Sequence, residues 1–177
     1  MGAICASEPL FVKGTYTLVI ESERPMRVRF GRLGSARLAT GYYVYTGSAL
    51  GQGALSLERR LGRHIRRSKR AHWHVDYLTT REEYVVRAGV CVKSRRRLEC
   101  LVNRRIHRAV DVRVVLPHLG ATDCTCQSHL VKVDSSLKTI LARVNKIYCE
   151  FGDSFTFHVN RGARFSGLLP IFSGTRL

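Results

Sequence analysis

No stretch of this sequence approaches the roughly 18 consecutive apolar residues that a helical bilayer span requires. A helical membrane protein is thereby excluded. Residues 1–13 carry Glu8 and Lys13 and lack a basic start followed by a long apolar run, so a soluble, cytoplasmic and unexported protein is expected. Cysteine is too sparse for a disulfide scaffold, and the six residues (Cys5, Cys91, Cys100, Cys124, Cys126, Cys149) lack the paired spacing of a zinc ribbon. Reduced thiols are the expectation. Acidic residues are scarce too, 13 against 30 Lys and Arg, which leaves a formal charge of +17 and a pI near 10.4. That excess favours a polyanionic partner through counterion release, although charge alone does not separate nucleic acid from a ribosomal or membrane-surface role. No internal repeat, low-complexity tract or linker is visible, and 45% apolar content argues against disorder. The 177 residues therefore read as one globular domain with an extension.

What is present is a succession of periodic segments. Residues 14–20 (GTYTLVI) concentrate β-branched and aromatic types and predict a strand, ended by the polar run Glu21 to Pro25. A second strand is expected over 27–33 and, beyond the turn-forming Gly34-Ser35, a third from about Arg37 to Tyr45, together an antiparallel meander. The glycines between Gly47 and Gly53 predict a turn into a helix. Leu57, Leu61 and Ile65 give that helix its apolar stripe behind a candidate N-cap, Ser56, while Gly62 weakens it by about 1 kcal/mol relative to alanine. Residues 72–79 predict a strand or a connection into one, and 84–93 a further strand. Leu98, Leu101, Val102, Ile106 and Ala109 predict a second amphipathic helix, and 129–133 the last strand of the compact unit. In the tail from Asp134, Leu137, Ile140, Leu141, Val144 and Ile147 predict a third helix, 155–159 a short strand, and the glycine-rich residues after it a loose end.

Several of these segments carry chemistry. Arg60 and His64 lie one helical turn apart and point the same way, and a guanidinium placed there binds two phosphate oxygens at once. Glu99 opens the second helix, with Asn103 and His107 on the same rim. His72 and His74 alternate across Trp73, so in a strand they share a face with Asp76, which would orient an imidazole, while Trp73 takes the core face. Cys100, Cys124, Cys126 and His129 are the set a tetrahedral zinc site would draw on, with Asp123 as another ligand. Thiols packed in the core rank ahead of that structural Zn²⁺ on spacing alone.

In order, the fragments Gly14-Thr15-Tyr16, Tyr45-Thr46-Gly47 with Ser48-Ala49, Arg60 with His64, and Glu99 resemble the motifs of the GIY-YIG nuclease superfamily. The run His72 to Leu78 and the run Asp123 to Leu130 resemble its Uri-type branch. The resemblance covers roughly residues 14–133 and implies an α/β (α+β) fold, a central antiparallel sheet flanked by helices; it assigns no role to residues 134–177, which by their own pattern read as a helix-strand extension packed on that domain. It further implies that Glu99 holds one Mg²⁺ or Mn²⁺, that Arg60 steadies the scissile phosphate, and that Tyr16 acts as the base or helps generate it. Two departures stand out. The segment between Tyr16 and Tyr45 is long, and Thr15 and Thr46 replace the central isoleucines, so their hydroxyls need partners.

The function expected is a metal-dependent endonuclease cutting phosphodiester bonds in DNA in preference to RNA, without a membrane partner. Tyr16, Tyr45, Arg60, His64 and Glu99 form its catalytic group, and Lys13, Arg63, Arg67, Lys69, Arg70, His72 and His74 its nucleic-acid contacts. A tyrosine of ordinary pKa is a poor base at neutral pH, so Tyr16 needs Arg60, Lys13 or the metal to lower it. The alternative is a basic nucleic-acid-binding module with the same fold and no chemistry.

Overall fold

The computed structural model describes residues 12–159. Cys5, the leader residues before Val12 and the glycine-rich end expected beyond Val159 lie outside them. Eight strands and four helices follow in the order β1 (Gly14–Ser22), β2 (Met26–Arg29), β3 (Ser35–Leu38), β4 (Gly41–Ala49), α1 (Leu57–Ile65), α2 (Asp76–Thr79), β5 (Tyr84–Lys93), α3 (Glu99–Ala109), β6 (Val112–Val114), β7 (Leu130–Val133), α4 (Leu137–Cys149) and β8 (Ser154–His158). Six of the strands form one antiparallel sheet in the order β6-β7-β4-β1-β5-β8. The fold is therefore of the mixed α+β class, an antiparallel sheet flanked by helices.

Strand alternation divides the core. Tyr16, Leu18 and Ile20 of β1 face one side, where Leu57 and Leu61 of α1, Leu78 of α2 and the β2–β3 ribbon cover them. Val19 of β1 and Val44, Val90 and Val92 of its neighbours face the other side, beneath Val102 and Ile106 of α3 and Ile140 and Val144 of α4. Period-2 alternation in the strands and the i, i+3/i+4 stripes of the helices meet across both faces. The segment from 134 to 159 belongs to this sandwich: α4 caps the second core, and β8 extends the sheet beside β5.

One expectation changes here, of the two readings of residues 72–79 the connection from helix to strand holds, and one short strand is added. The meander gives way to two sheets, because β1 pairs along its whole length with β4 while β2 and β3 form a separate hairpin. Val28, Phe30, Ala36 and Leu38 turn the apolar face of that hairpin down onto the first core. Residues 72–79 form a turn and then the short helix α2, since Asp76 Oδ2 accepts the backbone N–H groups of His72 (3.0 Å) and Trp73 (3.1 Å) and pulls the chain out of extended conformation. Strand β6, too short to leave a periodic signal, extends the sheet beyond β7. Ser56 does occupy the N-cap position of α1, but its side chain makes no capping bond.

Two glycines fix how β1 sits. A Cβ on Gly14 would stand 2.4 Å from the Val92 carbonyl oxygen and 2.9 Å from Leu57 Cδ2, so only a bare backbone fits between β5 and α1. A Cβ on Gly47 would stand 2.5 Å from the Tyr16 hydroxyl, so the β4 backbone is where the phenol lies. Of the two threonines, Thr46 finds a partner in Thr17 (Oγ1 to Oγ1, 3.1 Å), which also meets the Tyr148 hydroxyl at 2.9 Å, whereas the buried Thr15 hydroxyl has none.

Candidate active site

The N-terminal end of β1, the C-terminal end of β4 and the first turn of α3 open together on a pocket of about 320 Å³. Tyr16 and Tyr45 line it from the sheet, Arg60 from α1, Glu99 from α3, and His72, Trp73 and His74 from the turn before α2. Residues separated by more than eighty positions thus converge because three elements end at one place.

Behind the pocket runs a buried polar chain. The Tyr16 hydroxyl meets His64 Nε2 at 2.8 Å, and His64 Nδ1 lies 3.4 Å from Asp76 Oδ1. Burial pushes the His64 imidazole down to about 4 against the attraction of Asp76, so at neutral pH the ring is uncharged. Burial works to raise the Asp76 carboxyl, but the facing imidazole, the N–H groups of His72 and Trp73 and the Lys69 ammonium hold it below the usual carboxylate range. An ionised carboxylate offers only lone pairs, so its approach to Nδ1, a 3.4 Å contact short of a hydrogen bond, favours the tautomer protonated there, in which Nε2 accepts from Tyr16. Asp76 therefore does orient an imidazole, that of His64 on α1. His72 stacks edge-on against Trp73 at 4.7 Å, and His74 Nδ1 accepts from the Gly120 backbone at 3.1 Å.

The tyrosines are not lowered. Burial, with Tyr45 alongside, raises Tyr16 well above its ordinary value; Arg60 opposes this and does not prevail. Burial raises Tyr45 likewise. Both rings are neutral phenols packed around His64, with centroids 5.6 and 6.1 Å from the imidazole.

Ser48 joins the two charged groups of the pocket. Its carbonyl accepts from Arg60 Nη1, and its hydroxyl donates to Glu99 Oε2 at 2.6 Å. The Arg60 guanidinium carbon lies over Trp73, 4.2 Å from the ring centroid, and its Nε is buried without a partner in the protein. Trp73 is half-buried, packed against the first core as its alternation suggested and at the same time a wall of the pocket. Glu99 Oε1 lies 3.0 Å from His129 Nδ1. Neither Ser48 nor Trp73 stands out by spacing; the serine trailing the second tyrosine motif and a single tryptophan between two histidines were the available signals.

The remaining predicted residues divide. Arg67, Arg70 and His72 are exposed, and of these His72 lines the pocket. Arg63 and Lys69 point inward: Arg63 Nη2 pairs with Asp76 at 3.1 Å and donates to the Arg70 carbonyl at 2.6 Å. Lys69 Nζ donates to Arg63 O, His64 O and Thr79 Oγ1, at 2.7 to 3.1 Å. Their charge offsets that of buried Asp76, and burial pushes the Lys69 ammonium down to about 8. Lys13 is half-buried beside β1, its carbonyl accepting from Ser94. Asn103 is buried away from the pocket and donates to Ser128 O at 2.9 Å.

Cys100, Cys124, Cys126 and His129 do come together, their ligand atoms all within 4.8 Å of one another. All five cysteines among the described residues are free. Asp123 stands outside this cluster, its carboxylate 2.7 Å from Arg97 Nη2.

The model of one protein family, described as a domain of unknown function, matches residues 15–152, from the second residue of β1 through α4. The chain belongs to that family, DUF123. No curated protein and no solved structure matches it. The DUF123 match encloses every residue of the pocket and of the cysteine cluster, so both are parts of the DUF123 domain itself.

Proposed function

We propose that this DUF123 chain is a divalent-metal-dependent phosphodiesterase, a GIY-YIG-type endonuclease of the Uri branch that nicks DNA. The observation that carries the reading is the convergence, on one pocket, of the Arg60 guanidinium, the Glu99 carboxylate and the Tyr16 phenol backed by His64 and Asp76.

Glu99 fits a lone ligand to Mg²⁺ or Mn²⁺: each oxygen engages one protein donor and keeps a further lone pair. Such an ion, when bound, supplies charge to a phosphoryl oxygen and acidifies a bound water. Arg60 is held over Trp73 and tied to Ser48, so its position is set before a phosphate arrives, and the orphaned Nε–H in a partly desolvated cation favours an anion there. Tyr16 gives its proton to His64 Nε2, so its oxygen lone pairs are what the pocket meets. A water held on those lone pairs is oriented for attack, and as it loses a proton to Tyr16 the phenol passes its own to His64. The imidazolium so formed faces the Asp76 carboxylate. Asp76 is therefore a positioning residue, and the relay replaces the phenolate that the high pKa of Tyr16 rules out at neutral pH. A net charge of +17 supports a nucleic-acid substrate.

Purified protein should nick labelled duplex DNA with Mg²⁺ or Mn²⁺, and Glu99→Ala or Arg60→Ala should each lower the rate by about 10²-fold or more. Cleavage unchanged by either substitution would refute the site. A second reading, a binding module without chemistry, draws on the fact that both Glu99 oxygens already have protein partners. Tight, salt-sensitive DNA binding without cleavage of single-stranded, duplex, branched or RNA substrates in either metal would establish it instead.

A further inference from the structure

We propose that Cys100, Cys124, Cys126 and His129 bind one Zn²⁺, and that this ion, acting through His129, fixes the orientation of Glu99. The zinc site stands on its own geometry; only its link to Glu99 rests on reading Glu99 as the catalytic metal ligand.

The four ligands come from three places. Cys100 is the second residue of α3, Cys124 and Cys126 lie on the loop that follows β6, and His129 immediately precedes β7. That loop is closed by backbone bonds from His118 to Gln127 (2.7 Å) and from His129 to Leu119 (2.8 Å), and Asn103 of α3 clamps it at Ser128. Three thiols and an imidazole are thereby held together, Cys126 and His129 buried and the other two half-buried, with no disulfide among them. A zinc tetrahedron with Zn–S near 2.3 Å and Zn–N near 2.0–2.1 Å has edges of about 3.5 to 3.8 Å. His129 Nε2 and Cys124 Sγ already stand 3.5 Å apart, one such edge, and the whole set falls within 4.8 Å, so closing on an ion needs only small side-chain movements. Thiolate-rich tetrahedral sites with one imidazole select Zn²⁺ among the common divalent ions.

The two nitrogens of His129 face different sites. Nε2 meets the thiols and Nδ1 lies 3.0 Å from Glu99 Oε1. An ion on Nε2 locks the ring proton on Nδ1, so the bond to Glu99 becomes a permanent donation and the carboxylate is pinned between His129 and Ser48. One ion thus organises the ligand of another.

Elemental analysis of the full chain, purified under reducing conditions without added metal, should find one zinc per molecule. Co²⁺ exchanged into it should show thiolate-to-cobalt charge transfer and the intense visible bands of a tetrahedral ion. Cys124→Ser and Cys126→Ser should each lose zinc. A wild-type chain that holds no zinc and gives no such cobalt spectrum overturns the site, whether or not the serine variants fold, and so does full zinc content in both variants. His129→Cys keeps four ligands but removes the donor to Glu99; it should retain zinc while Mn²⁺ binding, measured calorimetrically, weakens by about 10-fold or more. Unchanged Mn²⁺ binding in that variant overturns the link to Glu99. Wild-type protein that holds zinc but binds no Mn²⁺ overturns the nuclease reading and leaves the zinc site standing.

Discussion

At neutral pH Tyr16 is a phenol and His64 an uncharged imidazole, because burial disfavours both the phenolate and the imidazolium. The sequence presents these two residues as separate members of a catalytic set; their direct bond follows from the packing of α1 on β1, which spacing along the chain does not reveal. The depressed His64 pKa has a measurable consequence. An unfolded histidine takes up its proton near 6.5, the folded one only near 4, so between these values the unfolded chain binds more protons and stability rises with pH. Melting temperature should therefore fall as pH drops from about 6.5 to 4, by a free energy on the order of 1–3 kcal/mol, and stay level above that window as far as this group is concerned. His64→Gln should flatten the slope. An equally steep slope in that variant would mean that His64 is not the group responsible.

At the scale of the element, the strands, the helix stripes and the Gly34-Ser35 hairpin were legible, since periodicity and turn residues act locally. Pairing was not. The chain from Arg27 to Tyr45 reads as one meander because alternation shows that a segment is extended without naming its neighbour, and only the burial of Val28, Phe30 and Leu38 on the first core sets the ribbon apart. The HWHV run misleads in the opposite way: two histidines around a tryptophan imitate strand alternation, while a single carboxylate two residues later folds the segment into a turn. Position 47 illustrates what an element can demand. A methyl group on Gly47 would overlap the Tyr16 ring, so Gly47→Ala should displace the phenol from His64 and reduce cleavage by about 10²-fold, comparable to a positioning error of an ångström. Retained secondary structure by circular dichroism would show that the loss is local, and full activity would show that the ring is free to move aside.

For the molecule as a whole, composition favours a polyanionic partner but does not say which cations would meet it. Arg67 and Arg70 are exposed, whereas Lys69 serves the buried carboxylate. Plots of log K for DNA against log salt should lose about one unit of slope in Arg67→Ala and likewise in Arg70→Ala. Lys69→Ala should leave the slope unchanged and lower the melting temperature, because it leaves Asp76 less fully compensated. A slope change in Lys69→Ala equal to that of Arg67→Ala would contradict the inward placement.

Strand β1 lies between two full-length neighbours, with every residue but Glu21 buried. Its amide hydrogens should be the slowest in the protein to exchange with deuterated solvent, released only by global unfolding. Tyr16 would then stand on the most persistent part of the molecule. A substrate would meet a floor that does not yield.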